Sequence, residues 1–414
     1  MNTSNKKIIP ELLLPAGTYE NAQTAFRYGA DAIYQGLTGF SLRTGKKAEV
    51  NWEELEKSLN LAKTLGKNYY LALNIFAHND DMNLLEDVFP KLARLSIDGF
   101  IVADPGVLMM AKEYMPNASF HISTQANITS YKNVEFWKQQ GADRVILARE
   151  LSREEIIEIK QKVPDIELEI FVHGAMCMAY SGRCNLSLYF LNRDANKGHC
   201  AQPCRWEYNL AEDGKTHTLD IEEDKRGIYV FNSKDMNLAS QIPDILDIGV
   251  KTLKIEGRNK TSYYIANTAR VYRKIIDESL KNGANYQVPG KYLEELDKVS
   301  HREYSTGFYE KDPNNLNFET SEYLKTYKMV GMVDRVEDDQ LYINVRDEIR
   351  KGEIVEIIYP DICEDEEIKL ETIVDTKNNK PVDSAHNSYT VAIPYIKKHN
   401  RDIQGLLIRK KINK

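Results

Sequence analysis

The stretch RVILARELSREEIIEIKQKVPDIELEIFVHG, residues 144–174, holds the pattern that much of the chain repeats. RVILAR (144–149) and LEIFVHG (168–174) read as buried strands, and SREEIIEIKQKV (152–163) between them carries apolar residues near i, i+3, i+4 and i+7. Strands that are apolar on both faces, separated by amphipathic helices, belong to a parallel sheet covered by helices. Working outward, ELLLPAG (11–17), AIYQG (32–36), YYLALN (69–74), GFIVAD (99–104), FHIST (120–124) and LKIEGR (253–258) have the same character, with helical stretches such as WEELEKSLNLAKTLG (52–66) between them. Eight such units over about 250 residues are the count of a TIM-type (β/α)8 barrel. A doubly wound open sheet is the alternative, but no G-x-G-x-x-G follows the first strand to support a dinucleotide crevice.

In a barrel of this type the chemistry gathers where the strands end. The sequence puts Pro15-Ala16-Gly17, Gln35-Gly36, Asn74, Asp104, Thr124-Gln125, Arg149-Glu150, His173 and Glu256-Gly257-Arg258 at those ends. Any one of them could simply begin a loop or cap a helix. As a set on one rim they predict an active site.

The seventh unit departs from the pattern. An insertion of about 80 residues, 174–252, replaces the usual short loop, and long insertions are usually functional. It holds Cys177, Cys184, Cys200 and Cys204, four of the five cysteines, spaced C-x6-C-x15-C-x3-C. Four thiolates complete a tetrahedral metal site or hold an iron–sulfur cluster. Zinc favours tight C-x2-4-C pairs, which only Cys200/Cys204 approaches; ordinary buried thiols or two disulfides are the remaining readings. Spacing alone leaves the choice open. Further on, EYNLAEDGKTHTLDI (207–221) and GIYVFNS (227–233) read as a hairpin turning at Asp213-Gly214, and the polar cluster Asn232–Asp235 as the opening of a short helix.

These readings divide the chain into a barrel over 1–283, a linker segment packed on it over 284–326, and a small β-barrel over 327–414. The last 18 residues, KKHNRDIQGLLIRKKINK, set seven Lys and Arg against one Asp, so Lys397, Lys398, Arg401, Arg409, Lys410 and Lys411 are candidates for phosphate contact. A net charge of −7 argues against a non-specific nucleic-acid coat. No signal peptide and no membrane-length apolar run is seen, which with clustered cysteines predicts a reducing cytoplasm. H-E-x-x-H, G-x-S-x-G and the P-loop pattern are absent. His173 and His199 lie near the cysteines, so a Cys–His protease stays formally open, although four clustered thiols make metal ligation the simpler account.

HGAMCMAYSGRCNLS (173–187), preceded by Glu169 and Phe171, resembles the signature of the collagenase-like peptidase family of unknown catalytic type. LLLPAG (12–17), NSKD (232–235), KIEGR (254–258) and HREYSTGFY (301–309) extend the resemblance over essentially the whole chain. Better-understood relatives act in oxygen-independent hydroxylation of the tRNA wobble uridine, of a ribosomal-RNA cytidine and of the ubiquinone ring. The chain's length and its single terminal β-barrel are most similar to those of the tRNA uridine proteins. The resemblance implies a [4Fe-4S] cluster on Cys177, Cys184, Cys200 and Cys204, prephenate as hydroxyl source, the tRNA anticodon region as partner, and a paralogous subunit beside it. On that footing Arg149, Arg183 and Arg258, with Arg43 weaker, would meet the prephenate carboxylates. Asn74 and Gln125 would bind substrate, and His173 and Glu256 would move protons beside Arg258. A flipped base would enter the same mouth. Two other functions remain in view: a collagenase-like endopeptidase, and a non-catalytic tRNA-binding subunit with a structural cluster.

Overall fold

The computed structural model describes residues 9–41, 49–177, 179–180, 183–197, 199–206, 223–224, 227–228, 233–311, 323–396 and 402–412. They form two compact units, one of residues 1–289 with 301–323, the other of 290–300 with 324–414. The 284–326 segment expected as a linker is therefore shared between them: Gly290–Ser300, with a helix over Gly290–Leu296, goes with the C-terminal unit.

The first unit is an eight-stranded parallel closed barrel. Its strands are β1 (Glu11–Pro15), β2 (Ala32–Gly36), β3 (Asn68–Leu73), β4 (Gly99–Val102), β5 (Phe120–Ile122), β6 (Arg144–Ile146), β7 (Glu167–Ala175) and β8 (Thr252–Ile255). Each pairs with the next, except that β8 alone closes the ring, with Thr252 opposite Glu11 of β1 on one side and Glu169 of β7 on the other. The helices between strands start where side chains satisfy the free amides of a first turn. Asn51 accepts from the Glu54 amide to start Trp52–Thr64, Asp104 accepts from the Gly106 and Val107 amides, and Ser152 with Glu155 forms a capping box ahead of Arg153–Lys162. Several apolar runs continue past their strands: Asn74, Thr124 and Arg149 reach the mouth, whereas Asp104 caps the next helix.

The barrel core is not purely aliphatic. Arg144 reaches Glu11 at 2.8 Å, Glu167 at 2.7 Å and Glu169 at 3.4 Å, and Lys254 pairs with Glu169 at 2.6 Å. Glu11, Arg144, Glu169 and Lys254 are all buried, so each charge needs its partner.

Most of the proposed hairpin (207–221 and 227–233), with its Asp213-Gly214 turn, lies outside the described residues. The polar cluster corrects the sequence reading: Asp235–Asn237 is a strand, not a helix opening, and it runs antiparallel to the end of β7, Met236 opposite Gly174. β7 outlasts its barrel neighbours, and the extra length presents backbone groups that a strand can pair and a helix cannot. The helix follows at Ile242–Ile248.

The C-terminal unit carries an eight-stranded antiparallel sheet curled to a half-barrel. In spatial order its strands are Glu366–Lys369, Ile354–Ile357, Leu407–Lys411, Tyr327–Glu337, Gln340–Val345, Thr390–Pro394, Ile373–Asp375 and Lys380–Val382. Lys397, Lys398 and Arg401 lie outside the described residues. The supposed tail beyond them is largely ordered, since Leu407–Lys411 is an interior strand of this sheet.

Candidate active site at the barrel mouth

A cleft open to solvent occupies the mouth at the carboxyl ends of the strands. Asn74, Gln125, Arg149, Glu256 and Arg258, all expected from sequence, border it together with Cys177. Arg149 is fixed from three sides. Its Nη1 donates to the Ala175 carbonyl at 3.1 Å, its Nη2 meets Glu256 at 3.2 Å, and its guanidinium lies 4.0 Å from the Phe171 ring centroid. Arg258 is buried and donates from Nη1 to the Ser41 hydroxyl at 3.1 Å. Asn74 donates to the Ser123 hydroxyl at 3.3 Å, and that hydroxyl donates in turn to the Gln125 side chain. Arg183 stands outside the cleft on its rim, holding the Gln125 carbonyl from Nε at 2.8 Å and lying over Phe76.

The sequence reading missed Lys254. It lines the cleft from below, 4.5 Å from the Tyr34 ring centroid, with Glu169 behind it. Burial lowers its pKa, and the Glu169 carboxylate opposes that shift. Three cations, Arg149, Lys254 and Arg258, thus border the cleft against one lining carboxylate, Glu256. Two guanidinium groups on one cleft have the fork geometry that suits carboxylates.

His173 is not at the cleft. The register of β7 against β8 slips between Lys254 and Ile255, and the ring packs among Tyr264, Tyr272 and Tyr304 with centroids 5.3–5.9 Å away. Tyr272 Oη lies 3.3 Å from His173 Nδ1, while Nε2 finds no hydrogen-bond partner among the described residues. Burial, with smaller contributions from His301 and Lys260, holds its pKa down to about 3, so the imidazole is neutral and shielded. A proton-shuttling role for it at the mouth has no geometric support.

A second pocket adjoins the first. Cys177, Cys200 and Cys204 line it with Arg193 and Lys260, and Cys177, Glu256 and Arg258 border both pockets. Cys184 is near enough to Cys200 and Cys177 that they, after burial, raise its thiol pKa. The sulfurs receive donors: the Leu186 amide to Cys184 at 3.4 Å, the Gln202 amide to Cys200 at 3.4 Å, and the Ser187 hydroxyl to Cys200 at 3.9 Å. Amide donors onto thiolate sulfur beside cationic side chains are how proteins tune iron–sulfur clusters, so the donor chemistry fits such a group. As placed, no three His, Cys, Asp or Glu side chains among the described residues stand close enough together to grip an ion. The fit therefore rests on donor type and surroundings.

Of the six basic candidates at the C-terminus, three are described, and two of these are already engaged. Arg409 is fully buried, held by Glu295, by Glu356 at 2.6 Å and by Asp365 at 3.4 Å. Lys410 grips both carboxylate oxygens of Glu353, at 2.8 and 2.7 Å. Only Lys411 is exposed, at the end of its strand. Arg409 cannot reach a phosphate, because its guanidinium is wholly buried against these three carboxylates.

Fold and site together define a (β/α)8 barrel protein with a cationic mouth, a four-thiol loop set against it, and a β half-barrel appended. The chain belongs to Peptidase family U32: the profile of that family matches residues 17–318, and that of the Peptidase family U32 C-terminal domain matches residues 325–409. It is 39% identical to the tRNA hydroxylation protein P1 of Bacillus subtilis (strain 168) over 384 residues, 91% of this chain and 90% of that one. It is 41% identical to the tRNA hydroxylation protein P of Escherichia coli (strain K12) over 355 residues, 76% and 77% of the two chains. To the collagenase of Porphyromonas gingivalis (strain ATCC BAA-308 / W83) it is 31% identical over 309 residues, 72% and 73%.

Proposed function

We propose that this chain is a tRNA-modifying enzyme that hydroxylates the wobble uridine at C5 without oxygen, taking the hydroxyl from prephenate. The observation that supports the reading best is the shared boundary: Cys177, Glu256 and Arg258 border both the cationic cleft and the thiol pocket. A small dianion in the cleft would lie against the place where Cys177, Cys184, Cys200 and Cys204 would hold a [4Fe-4S] cluster. When bound, that cluster would supply electron transfer or a Lewis-acid iron. Arg149 and Arg258 bind and orient the carboxylates, and their buried or stacked settings keep them from reorganising. Lys254 adds positive potential from below. Glu256, anchored by Arg149, is the carboxylate that accepts a proton from the bound substrate. Asn74 and Gln125, joined through Ser123, present a polar wall to the entering base.

The test is nucleoside analysis of tRNA from a deletion strain carrying the wild-type gene, Arg258→Met or no gene. The hydroxylated wobble uridine should vanish in the deletion, return with the wild type, and stay at least about 100-fold down with Arg258→Met. Unchanged modification in the deletion would remove the proposal.

The likeness to the Porphyromonas collagenase favours an endopeptidase as second reading. That reading predicts cleavage of denatured collagen by protein stripped of metal. The position of His173, away from the cleft, gives it no Cys–His pair at the mouth.

A further inference from the structure

Eighteen large apolar side chains stand exposed among the described residues, and six of them, Tyr180, Leu188, Tyr189, Phe190, Leu191 and Trp206, fall within residues 180–206. Isolated exposed apolar groups are normal, but a concentration in one short stretch marks a surface that meets something. The helix Leu186–Leu191, LSLYFL, is turned inside out. Its one serine, Ser187, is buried, donating to Cys200 and accepting from the Ala201 amide, while Leu188, Tyr189, Phe190 and Leu191 are exposed. Tyr189, 87% exposed, is the most exposed of the eighteen and meets Phe190 edge to face.

By sequence the stretch is cationic. Residues 180–206 hold Arg183, Arg193, Lys197 and Arg205 against Asp194 alone, in a chain whose net charge is −7. The face also runs into the mouth: Arg183 holds the Gln125 carbonyl, Arg193 lines the thiol pocket, and Ala195 lines the cleft.

We propose that this aromatic, cationic face of the cysteine loop is the platform on which the substrate RNA loop lies, with Tyr189, Phe190 and Trp206 stacking the unpaired bases beside the nucleotide that enters the cleft. The inference rests on the tRNA reading above. A base that leaves its stack to reach a pocket leaves its neighbours without stacking partners, and aromatic rings replace them without regard to base identity. Arg183 and Arg193 then meet the loop phosphates. Charge decides the occupant: among the described side chains of the stretch Arg183 and Arg193 stand against Asp194 alone, and RNA brings a phosphate with every base.

The experiment titrates anaerobically purified full-length protein into a fluorescently labelled RNA hairpin with an unpaired loop, over a series of salt concentrations. Tyr189→Ala with Phe190→Ala should weaken binding by about 10-fold per ring and leave the salt slope unchanged. Arg183→Gln with Arg193→Gln should flatten the slope by about two. Tyr189→Trp should bind as well as the wild type, and hairpin binding should quench Trp206. Iron content and thermal midpoint equal to wild type certify that the alanine variant is folded; should it not be, Tyr189→Trp and Trp206 quenching decide. Undiminished affinity in a folded alanine variant overturns the proposal. So does a wild-type dimer that dissociates in that variant while RNA affinity stays put, since the face would then join two copies of the chain. Failure of the tRNA reading shows separately, as unchanged wobble nucleosides in the deletion strain.

Discussion

Lys254 and Glu169 are the residues on which the mouth stands. A lysine buried at 2.6 Å from a buried carboxylate, which Arg144 also touches, keeps its charge only because the partner is there. The pattern was legible in principle: in LEIF and LKIE the charged residue recurs at every second position with Phe171 or Glu256, so both faced the barrel interior. The apolar character of the runs concealed it. His173 shows the opposite failure. A histidine ending a strand reads as a mouth residue, but a slip of register that no spacing announces turns its ring toward Tyr264, Tyr272 and Tyr304. Its pKa lies near 3 when folded against an ordinary 6.5, so between those values the unfolded chain binds a proton that the folded chain refuses. Stability from this residue is complete above about pH 6.5 and drains away as pH falls toward 3, on the order of 5 kcal/mol in all. Urea midpoints measured from pH 7 to pH 4 should fall for the wild type and fall less for His173→Gln. A residual slope from His121, also buried with its pKa well below the usual value, remains in both. Equal slopes would show that His173 is not held as described.

At the scale of elements, the end of β7 decides where the cysteine loop begins. Gly174 has φ +111°, and a Cβ there would come within 2.6 Å of the Glu256 carbonyl, a backbone atom that cannot step aside cheaply. Gly174→Ala should therefore cost about 2 kcal/mol or more, and it should displace Cys177 and Glu256 together because they flank the same junction. Thermal denaturation beside iron content checks it: loss of stability with full iron retention would separate the loop from the strand end. The helical crossovers and strand positions were readable because periodicity and caps are local. The Asn232–Asp235 cluster was not, since a polar cluster looks alike before a helix or a strand. What chose the strand was the unpaired edge of β7, about 60 residues earlier in the chain.

At the scale of the whole molecule, the chain forms two compact units. The basic run at the C-terminus read as a phosphate-binding tail because its charges are adjacent in sequence and its partners are not: Glu295 and Glu356 lie 114 and 53 residues from Arg409. Arg409→Met should cost the C-terminal unit about 3–5 kcal/mol by leaving buried carboxylates unpaired, with little change in the salt dependence of RNA binding. Calorimetry and a salt titration on the same variant decide; a stable unit with a flattened slope would restore the tail reading. In the other unit a four-thiol loop is set against a cationic mouth, and the proposal is that the two work as one site for tRNA hydroxylation. The most direct test is to purify wild type and Cys184→Ala without oxygen and quantify iron, acid-labile sulfide and zinc beside a visible spectrum. About four irons and four sulfides per chain, lost in the variant, are the predicted result. Stoichiometric zinc, or a stable protein holding no metal, would contradict it.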